Sequence, residues 1–529
     1  MPRYDQRYAS IPHVVRGAAE RFGGEPAIID GDRRYGFDEL ADQMVEAVRA
    51  TIALGVEPGD RVGLCAPNSA EWIIAALGIL GAGGVIVPLN TRFKSGELAY
   101  ILRKSGAKAL LASSFLDNDY IADLQKADPD LPALRRTVSI LGPVGASAGL
   151  SWAEFLKGGE VVPRAQADLS IDRLTPDTVS DVMFTSGTTG HPKGVVLTHG
   201  QSLRAYGWMA EEYTFGASDS FLIIPPFFHC FGYKAGWLAS FIHGVTVIPM
   251  RVFDAGEALE VISRERVSIL LGPPTIFSDL LNHPRRAEFD LSSLRVSMTG
   301  GTTIPEPLVH AMKRELTFDI VLSAYGLTEA SALVTTTHIG DSEQTVAATS
   351  GRAIPDVEVR IVDELGAEVP ATQPGEILVR GYTVTRGYWD EPEATASAID
   401  GDGWLHTGDV GALDEAGNLS IVDRKKEMYI VGGFNAYPAE IEKILLDFAP
   451  IQQVAVIGVP DERLGEVGYA FVVLAPEYQG TTEDEVIEWA RANMANFKVP
   501  RHVRLVERLP RNASQKILKD ELRAQINVR

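Results

Sequence analysis

Residues 185–194 have the sequence Thr185-Ser-Gly-Thr-Thr-Gly-His-Pro-Lys-Gly194, with four hydroxyl side chains, three glycines and one lysine in ten positions. Such a stretch can turn backbone N–H groups and hydroxyls toward a polyphosphate, while the lysine adds a mobile positive charge. The flanking residues 178–184 and 195–199 are strand-like, so the glycines are expected on a loop between two strands. An ordinary Gly/Ser/Thr turn is the alternative. The residues expected to contact phosphate are Thr185, Ser186, Gly187, Thr188, Thr189, Gly190 and Lys193.

This loop differs from a Walker A loop, because its second glycine comes too early and Gly194 follows the lysine in place of Ser or Thr. On both sides of it, helix-like and strand-like stretches alternate through about the first 400 residues, as in α/β layers with largely parallel sheets. Helices are predicted over 11–21 and 71–80, and buried strands over 61–66, 85–88, 108–112, 221–224 and 245–250.

The pattern changes after Asp356. Alternating residues over 357–362, 375–380 and 418–422 predict a small antiparallel β subdomain that spans 356–422. The charged run 423–427 follows, and we expect a hinge at 423–425, although such a run is also typical of a solvated turn. Helices are predicted near 438–448 and 482–495. The chain is therefore predicted to consist of a large N-terminal α/β domain, 1–422, hinged to a small α+β C-terminal domain, 426–529.

The composition is that of a globular protein with more than one domain. The 529 residues include 49 Lys and Arg against 70 Asp and Glu, a net charge of -21, which disfavours nucleic acid or an anionic membrane as a partner. The apolar run 73–87 contains four glycines and is too short to cross a bilayer. Cys65 and Cys230 form neither a disulfide framework nor a zinc site, and residues 1–8 lack the apolar segment of a secretion signal. We therefore expect a cytoplasmic protein.

Three later motifs carry groups that suit a nucleotide. Tyr325-Gly-Leu-Thr-Glu329 ends in a carboxylate suited to Mg²⁺, which prefers one or two carboxylates together with phosphate oxygens. Trp404-Leu-His-Thr-Gly-Asp409 ends in a carboxylate on a turn, suited to a ribose diol, and Pro510-Arg-Asn-Ala-Ser-Gln-Lys516 ends in a lysine on a turn-prone loop. Taken singly, the three are also explained by helix capping, a common Gly-Asp turn and a surface lysine.

In this order, TSGTTGHPKG, YGLTE, GWLHTGD, DRKKE and the lysine loop resemble the adenylate-forming superfamily of acyl-CoA synthetases, luciferases and peptide-synthetase adenylation domains. The resemblance extends from Gly59 to Lys516. It implies that an acid carboxylate attacks the α-phosphate of Mg·ATP to give acyl-AMP and pyrophosphate. The small domain then rotates, and the thiol of coenzyme A displaces AMP. The implied activity is that of an AMP-forming acyl-CoA ligase that uses ATP, Mg²⁺ and coenzyme A.

The resemblance also implies roles for single residues at the nucleotide. Thr328 and Glu329 would serve the phosphates and Mg²⁺, with Glu329 as the metal ligand. Tyr325 would adjoin the nucleotide, and Asp409 and Arg424 would bind the ribose.

Further implied roles belong to the small domain and its connection. Lys516 would bridge the substrate carboxylate and ATP during adenylation, neutralising developing charge. Asp423 and Lys425 would belong to the hinge. After rotation, Gly432 and Gly433 would face the pantetheine tunnel, where small residues leave room for a slender thiol arm.

The stretch Pro225-Pro-Phe-Phe-His-Cys-Phe-Gly-Tyr233 is the most informative for the acid. His229 matches the family's histidine at the junction of the acyl and nucleotide pockets, where it is expected to take part in catalysis; a core histidine is the alternative. Aromatic neighbours suggest an apolar wall, although such a cluster is more often plain core, and small residues on the opposing side suggest a wide pocket. The expected pocket residues are Phe228, His229, Phe231, Tyr233, Thr299, Gly300, Gly301, Ala324, Gly326 and Ser331.

The acid itself is expected to be bulky and apolar. No Asp is placed to bind an α-ammonium group, which disfavours an amino acid. HCFGYKAGW together with VGGFNAYPAE is similar to bacterial ligases of alicyclic or degraded-steroid acids. We therefore expect a polycyclic carboxylic acid in preference to a simple long-chain fatty acid.

One position departs from the family pattern. Gln515 stands where the family places glycine, directly before the catalytic lysine. A glutamine forced into an unusual backbone region costs roughly 1–3 kcal/mol. One hypothesis is that adenylation is slow or lost, so that only the thioester-forming half-reaction occurs, on acyl-AMP from a separate adenylating enzyme. The alternative is that the loop tolerates glutamine.

Other functions remain open from the sequence alone. A ligase that loads its acyl group onto a carrier protein is one alternative, although no extra segment that would obstruct rotation is seen. A non-catalytic acyl-adenylate binder is another, but it would not need Lys516. The oligomeric state is left open, a homodimer included.

Overall fold

The computed structural model describes residues 3–115, 118–128, 131–142, 149–185, 192–300, 304–424, 427–431, 434–461, 463–512 and 515–526. Its strands, in chain order, are β1 Pro26–Asp30, β2 Arg33–Gly36, β3 Arg61–Cys65, β4 Val85–Pro88, β5 Ala109–Phe115, β6 Asn118–Asp119, β7 Arg136–Leu141, β8 Leu150–Ser151, β9 Val179–Thr185, β10 Lys193–Thr198, β11 Ser220–Ile223, β12 Thr246–Pro249, β13 Ile269–Gly272, β14 Val296–Gly300, β15 Ile320–Tyr325, β16 Thr335–Thr336, β17 Arg352–Ala353, β18 Val357–Val362, β19 Gly375–Gly381, β20 Leu405–Leu413, β21 Leu419–Arg424, β22 Tyr429–Val431, β23 Phe434–Ala436, β24 Ile451–Asp461, β25 Gly465–Leu474 and β26 His502–Leu505.

The α-helices are α1 Tyr4–Arg7, α2 Ile11–Phe22, α3 Phe37–Ala53, α4 Ala70–Gly81, α5 Ser95–Ser105, α6 Tyr120–Ala127, α7 Trp152–Gly158, α8 Arg164–Asp172, α9 His199–Glu212, α10 Cys230–Gly232, α11 Ala239–His243, α12 Ala255–Glu265, α13 Pro274–Leu281, α14 Glu306–Glu315, α15 Glu343–Ala348, α16 Pro392–Ala398, α17 Pro438–Leu445, α18 Glu483–Asn493 and α19 Lys519–Ile526. A π-helical turn, Tyr233–Leu238, connects α10 to α11. No helix within the described ranges is both long and apolar enough to cross a bilayer.

Two largely parallel sheets form the large domain. The first has the order β17-β16-β15-β14-β13-β11-β12-β1-β2 and is parallel from β15 to β1. The second has the order β10-β9-β4-β3-β5-β7-β8 and is parallel except for the antiparallel edge strand β10 and for β6, which pairs antiparallel with β5 off this path. Helix α4, every residue of which is buried, packs against strands of both sheets. The expected α/β architecture is confirmed.

The remaining sheets belong to the later part of the chain. Strands β18 to β21 form an antiparallel meander, which is the predicted β subdomain. The small domain has its own sheet, β23-β22-β25-β24, with β26 parallel to β25. The predicted helices near 438–448 and 482–495 correspond to α17 and α18. Strand β23, strand β26 and helix α19 were not expected, because each is short and lacks a long periodic pattern.

Candidate active site

The phosphate loop is expected between β9 and β10. These strands pair antiparallel with Thr185 opposite Lys193, so the two ends of the loop lie side by side. The hydroxyl of Thr185 donates to Glu329 Oε1 at 3.2 Å. The loop residues themselves, Ser186, Gly187, Thr188, Thr189 and Gly190, lie outside the described residues.

Glu329 lies in the short 3-10 turn Thr328–Ala330 that follows β15. Its Oε1 atom also accepts a hydrogen bond from the Tyr388 hydroxyl at 3.2 Å. The Lys193 ammonium lies over the Tyr388 ring, 5.1 Å from its centroid. Burial, and then the charge of Glu329, raise the pKa of Tyr388, so its hydroxyl remains a proton donor. The structure thus brings Thr185, Lys193 and Glu329 together around Tyr388, which sequence reasoning missed.

The expected ribose carboxylate is tied to the main sheet. Asp409, in β20, accepts a 2.6 Å hydrogen bond at Oδ2 from the hydroxyl of Tyr325, the last residue of β15. Asp409 and Arg424 are Cα partners in the antiparallel pair β20–β21. The three residues expected at the nucleoside therefore meet where the first sheet contacts the β subdomain.

His229 is the N-cap residue of α10, and its Nδ1 accepts a hydrogen bond from the Phe231 N–H at 3.2 Å. The surrounding protein and the positive charge of Lys516 lower the pKa of His229 to about 4. The imidazole is open to solvent, which limits this shift. Whether its pKa is lowered or stays near the ordinary value of about 6.5, the ring is mostly neutral at pH 7. The small domain thus brings Lys516 within electrostatic reach of His229.

The turn that carries Lys516 has a strained residue. The Lys516 N–H donates to Asn512 Oδ1 at 2.8 Å, and the Gln515 N–H donates to the Asn512 carbonyl at 3.0 Å. Gln515 has φ +63°, in the left-handed region that favours glycine. Arg511 and Ile517 close the turn as an antiparallel bridge. A turn followed by a left-handed residue in this way is a hairpin bulge, usually made with glycine.

The expected acyl-pocket residues divide into two groups. Phe228 and Phe231 are partly exposed, and so are Gly300 and Ala324 at the carboxyl ends of β14 and β15 and Gly326 just beyond. By contrast, Tyr233, Thr299 and Ser331 have no exposed surface, and a fully buried side chain presents nothing to a ligand. For these residues the expectation is corrected to a core position: Tyr233 stacks on Trp237 with ring centroids 4.8 Å apart, and the Ser331 hydroxyl donates to the Thr383 carbonyl. Gly301 lies outside the described residues.

Backbone packing, and not only the width of the pocket, explains why Gly300 and Gly326 are glycines. A Cβ atom at Gly326 would lie 2.3 Å from the Ala332 backbone, and one at Gly300 would lie 2.6 Å from the Ala324 carbonyl oxygen. Close approach of the backbone is sufficient to require glycine at both positions.

Asn68 is a second residue that sequence reasoning missed. Its amide donates to the carbonyls of Ile223 and Pro225, and its Oδ1 accepts from the Phe227 N–H at 2.7 Å. A buried asparagine with all three bonds satisfied fixes the backbone just before His229. The pair Pro67-Asn68 is typical of a turn, but the partners of Asn68 lie more than 150 residues away in the chain.

Of the residues expected at a hinge and at a thiol tunnel, only some lie in the described ranges. Asp423 and Arg424 are the last two residues of β21. Lys425, Gly432 and Gly433 lie outside the described residues.

Known proteins resemble this chain over nearly its whole length. Residues 15–389 match the family of AMP-binding enzymes, and residues 440–516 match the AMP-binding enzyme C-terminal domain. A ligase of Mycobacterium tuberculosis, named 3-[(3aS,4S,7aS)-7a-methyl-1,5-dioxo-octahydro-1H-inden-4-yl]propanoyl:CoA ligase, is 48% identical over 520 residues, 97% of this chain and 98% of that protein. A ligase of the same name from Rhodococcus jostii is 47% identical over 98% of both chains.

A solved structure has the same fold. The anthranilate CoA ligase AuaEII in complex with anthranoyl-AMP superimposes with a TM-score of 0.87 over 99% of this chain and 98% of that one, at 27% identity. The two family models match the chain in order, and the fold is that of a ligase solved in complex with an acyl-adenylate. The chain therefore belongs to the family of AMP-binding enzymes, among its AMP-forming acyl-CoA ligases.

Proposed function

We propose that this ligase activates a bulky alicyclic acid that ends in a propanoate chain, of the 7a-methyl-1,5-dioxo-octahydroindenyl type. The observation that carries the proposal is the identity of 48% and 47%, over 97% and 98% of the chain, to two ligases named for that acid. The partly exposed Phe228, Phe231 and Ala324 suit an apolar ring system.

The proposed assignment of groups follows the geometry of the site. Thr185, Lys193 and the loop between them bind the β- and γ-phosphates, with Thr328 beside them. Tyr325 and Asp409 bind the ribose together with Arg424. His229, neutral at pH 7, lies between acid and nucleotide, and Lys516 neutralises the charge that develops as the acid oxygen attacks the α-phosphorus and pyrophosphate leaves.

Magnesium fits the same site, because two hydroxyl groups orient the Glu329 carboxylate beside the phosphate strands. When bound, the ion would neutralise charge on the phosphate oxygens. For the second half-reaction, we propose that the small domain turns at 423–425 and that Gly432 and Gly433 then adjoin the thiol arm of coenzyme A. The two cysteines, both unpaired and buried, suit a reducing cytoplasm.

The test measures coenzyme A thioester formation from free acid and ATP. We expect turnover of the bicyclic propanoate with kcat/KM at least about tenfold above that of a straight-chain acid of equal carbon number. A single methylene group gained or lost in an apolar pocket changes the binding of the transition state by about 1–3 kcal/mol. Equal or better use of the straight-chain acid would contradict the proposed substrate.

The same assay addresses the half-reaction hypothesis. The full-length relatives are named as complete ligases, which favours both half-reactions in this chain and leaves the acyl-AMP-only, carrier-protein and non-catalytic alternatives without support. Thioester from synthetic acyl-AMP, with no pyrophosphate released from free acid, would revive the first of them.

A further inference from the structure

A fully buried ion pair lies behind the segment that carries His229. Lys234 Nζ and Asp181 Oδ1 are 2.9 Å apart, and neither side chain has any exposed surface. Among the ion pairs recorded for the described ranges, this is the one in which both partners are shut off from water. Neither residue was singled out by the sequence.

The two partners belong to elements that lead into the site. Asp181 lies in β9, whose last residue is Thr185 at the phosphate loop. Lys234 lies in the π-helical turn Tyr233–Leu238, directly after α10. Single π-helical turns are rare and are found frequently at functional sites.

One face of β9 contacts three parts of the site in order. Because side chains alternate along a strand, Asp181, Met183 and Thr185 lie on the same face. Asp181 pairs with Lys234, the Met183 sulfur lies 3.1 Å from that of Cys230, and the Thr185 hydroxyl donates to Glu329. Strand β9 therefore contacts the segment that begins at His229 through Asp181 and Met183, and it contacts Glu329 through Thr185.

Stability alone does not account for this pair. Removing two charges from water is costly, and replacing a buried pair with apolar residues is often neutral or stabilising. Neither Lys234 Nζ nor Asp181 Oδ1 makes a well-aligned hydrogen bond to any described residue, although the Ser180 hydroxyl donates to the other Asp181 oxygen. The two charges attract each other but lack a full set of hydrogen bonds. Their presence is better explained by the fixed position that the pair gives to the two segments that carry it.

We propose that Lys234 and Asp181 are positioning residues that fix the His229 segment against β9 and thereby set the separation between the acid and nucleotide sides of the site. The inference rests on the proposed function only in requiring that an acid is adenylated there.

The main variant is the double substitution Asp181→Leu/Lys234→Met, which removes both charges and leaves neither unpaired. We expect it to unfold thermally at or above the temperature of the unaltered protein. Its kcat/KM for the acid should fall about 10²-fold, because a displacement of about 1 Å has that effect on a reacting geometry. Adenylation is measured as ATP–pyrophosphate exchange with the bicyclic propanoate, and hydrogen exchange over residues 224–238 should become faster.

Matched variants complete the design. Lys108→Met removes the partner of Asp60 from a Lys–Asp pair of 2.8 Å that is partly open to water, and it should leave the kinetics unchanged. If Asp181→Leu/Lys234→Met does not fold, Asp181→Asn/Lys234→Met takes its place. A folded double variant with unaltered kcat/KM, or with lost activity but unaltered hydrogen exchange over 224–238, would overturn the positioning role.

Failure of the proposed substrate gives a different result. In that case the unaltered protein does not adenylate the bicyclic propanoate, and the exchange assay is run with whichever acid of an alicyclic and fatty-acid panel it does use. The hydrogen-exchange comparison needs no acid, so it tests the positioning role in either case.

Discussion

Gln515 adopts a left-handed backbone conformation that costs a side-chain-bearing residue about 1–2 kcal/mol. Its N–H and that of Lys516 both bond to Asn512, so the position of the lysine depends on this one conformation. The strain therefore lies in the turn that carries the lysine proposed to contact the acid and ATP.

Replacing Gln515 with glycine should accelerate adenylation. Relief of about 1.4 kcal/mol in the closed loop corresponds to a tenfold gain in the rate of pyrophosphate release. Thioester formation from synthetic acyl-AMP should not change, and Gln515→Ala, which keeps the strain but removes the bulk, should stay near the original rate. No gain in pyrophosphate release by the glycine variant would show that the loop tolerates glutamine.

Asn68 is the next residue whose substitution has a defined result. Asn68→Ala leaves the Pro225 carbonyl and the Phe227 N–H unsatisfied in the interior, and each costs about 1–3 kcal/mol, whereas the Ile223 carbonyl still accepts from the Met250 N–H. We expect a lower urea midpoint and kcat/KM for the acid reduced at least about tenfold, because the His229 segment loses its fixed backbone. Asn68→Asp keeps the acceptor for Phe227 but turns a buried carboxylate oxygen toward the Ile223 and Pro225 carbonyls, so it should be at least as impaired as Asn68→Ala. Equal activity of both variants and the original protein would contradict the role.

At the scale of elements, the 3-10 turn Thr328–Ala330 presents Glu329 between two hydroxyl donors. Glu329→Gln removes the negative charge but keeps the shape. The Mg²⁺ concentration for half-maximal adenylation should rise at least about tenfold, since loss of a metal-site partner typically costs 10–100-fold in affinity. Glu368→Gln, at an exposed carboxylate of the β subdomain, is the control. An unchanged Mg²⁺ requirement would remove Glu329 from the metal site.

The elements also show what the sequence could predict. Strands β9 and β10 follow from short apolar runs around a glycine loop, and α4 from an apolar stretch of helical length, because these signals are local. No local pattern assigns a role to Asn68, Lys234 or Tyr388, although Lys234 lies within HCFGYKAGW. Their roles come from partners far away in the chain, such as Asp181 for Lys234 and Glu329 for Tyr388. Conversely, Tyr233 looked like a pocket residue because aromatic clusters of core and pocket have the same composition.

At the scale of the whole molecule, a buried histidine couples folding to pH. His199 has no exposed surface, and burial together with the charge of Lys234 lowers its pKa to about 3. Its pKa returns to about 6.5 on unfolding. The unfolded chain thus binds the extra proton between these values, so the free energy of unfolding falls as the pH drops through this window.

The corresponding variant is His199→Asn, which keeps an acceptor for the Ile11 N–H. Between pH 7 and pH 5, the unaltered protein should lose about 2 kcal/mol more of its free energy of unfolding than the variant. Urea unfolding at both pH values measures the difference. Parallel losses in the two proteins would mean that the ring takes up its proton in the folded state as well.

Both cysteines of the chain, Cys65 and Cys230, are wholly enclosed, and burial raises the pKa of each thiol, that of Cys230 to about 12. The native protein should therefore react very slowly with maleimides. A cysteine introduced at Leu365, which is 94% exposed on a turn of the β subdomain, and another at Tyr478 in the small domain could each take a fluorophore without competition from the native thiols. Energy transfer between two such dyes would follow the small domain during a single catalytic cycle.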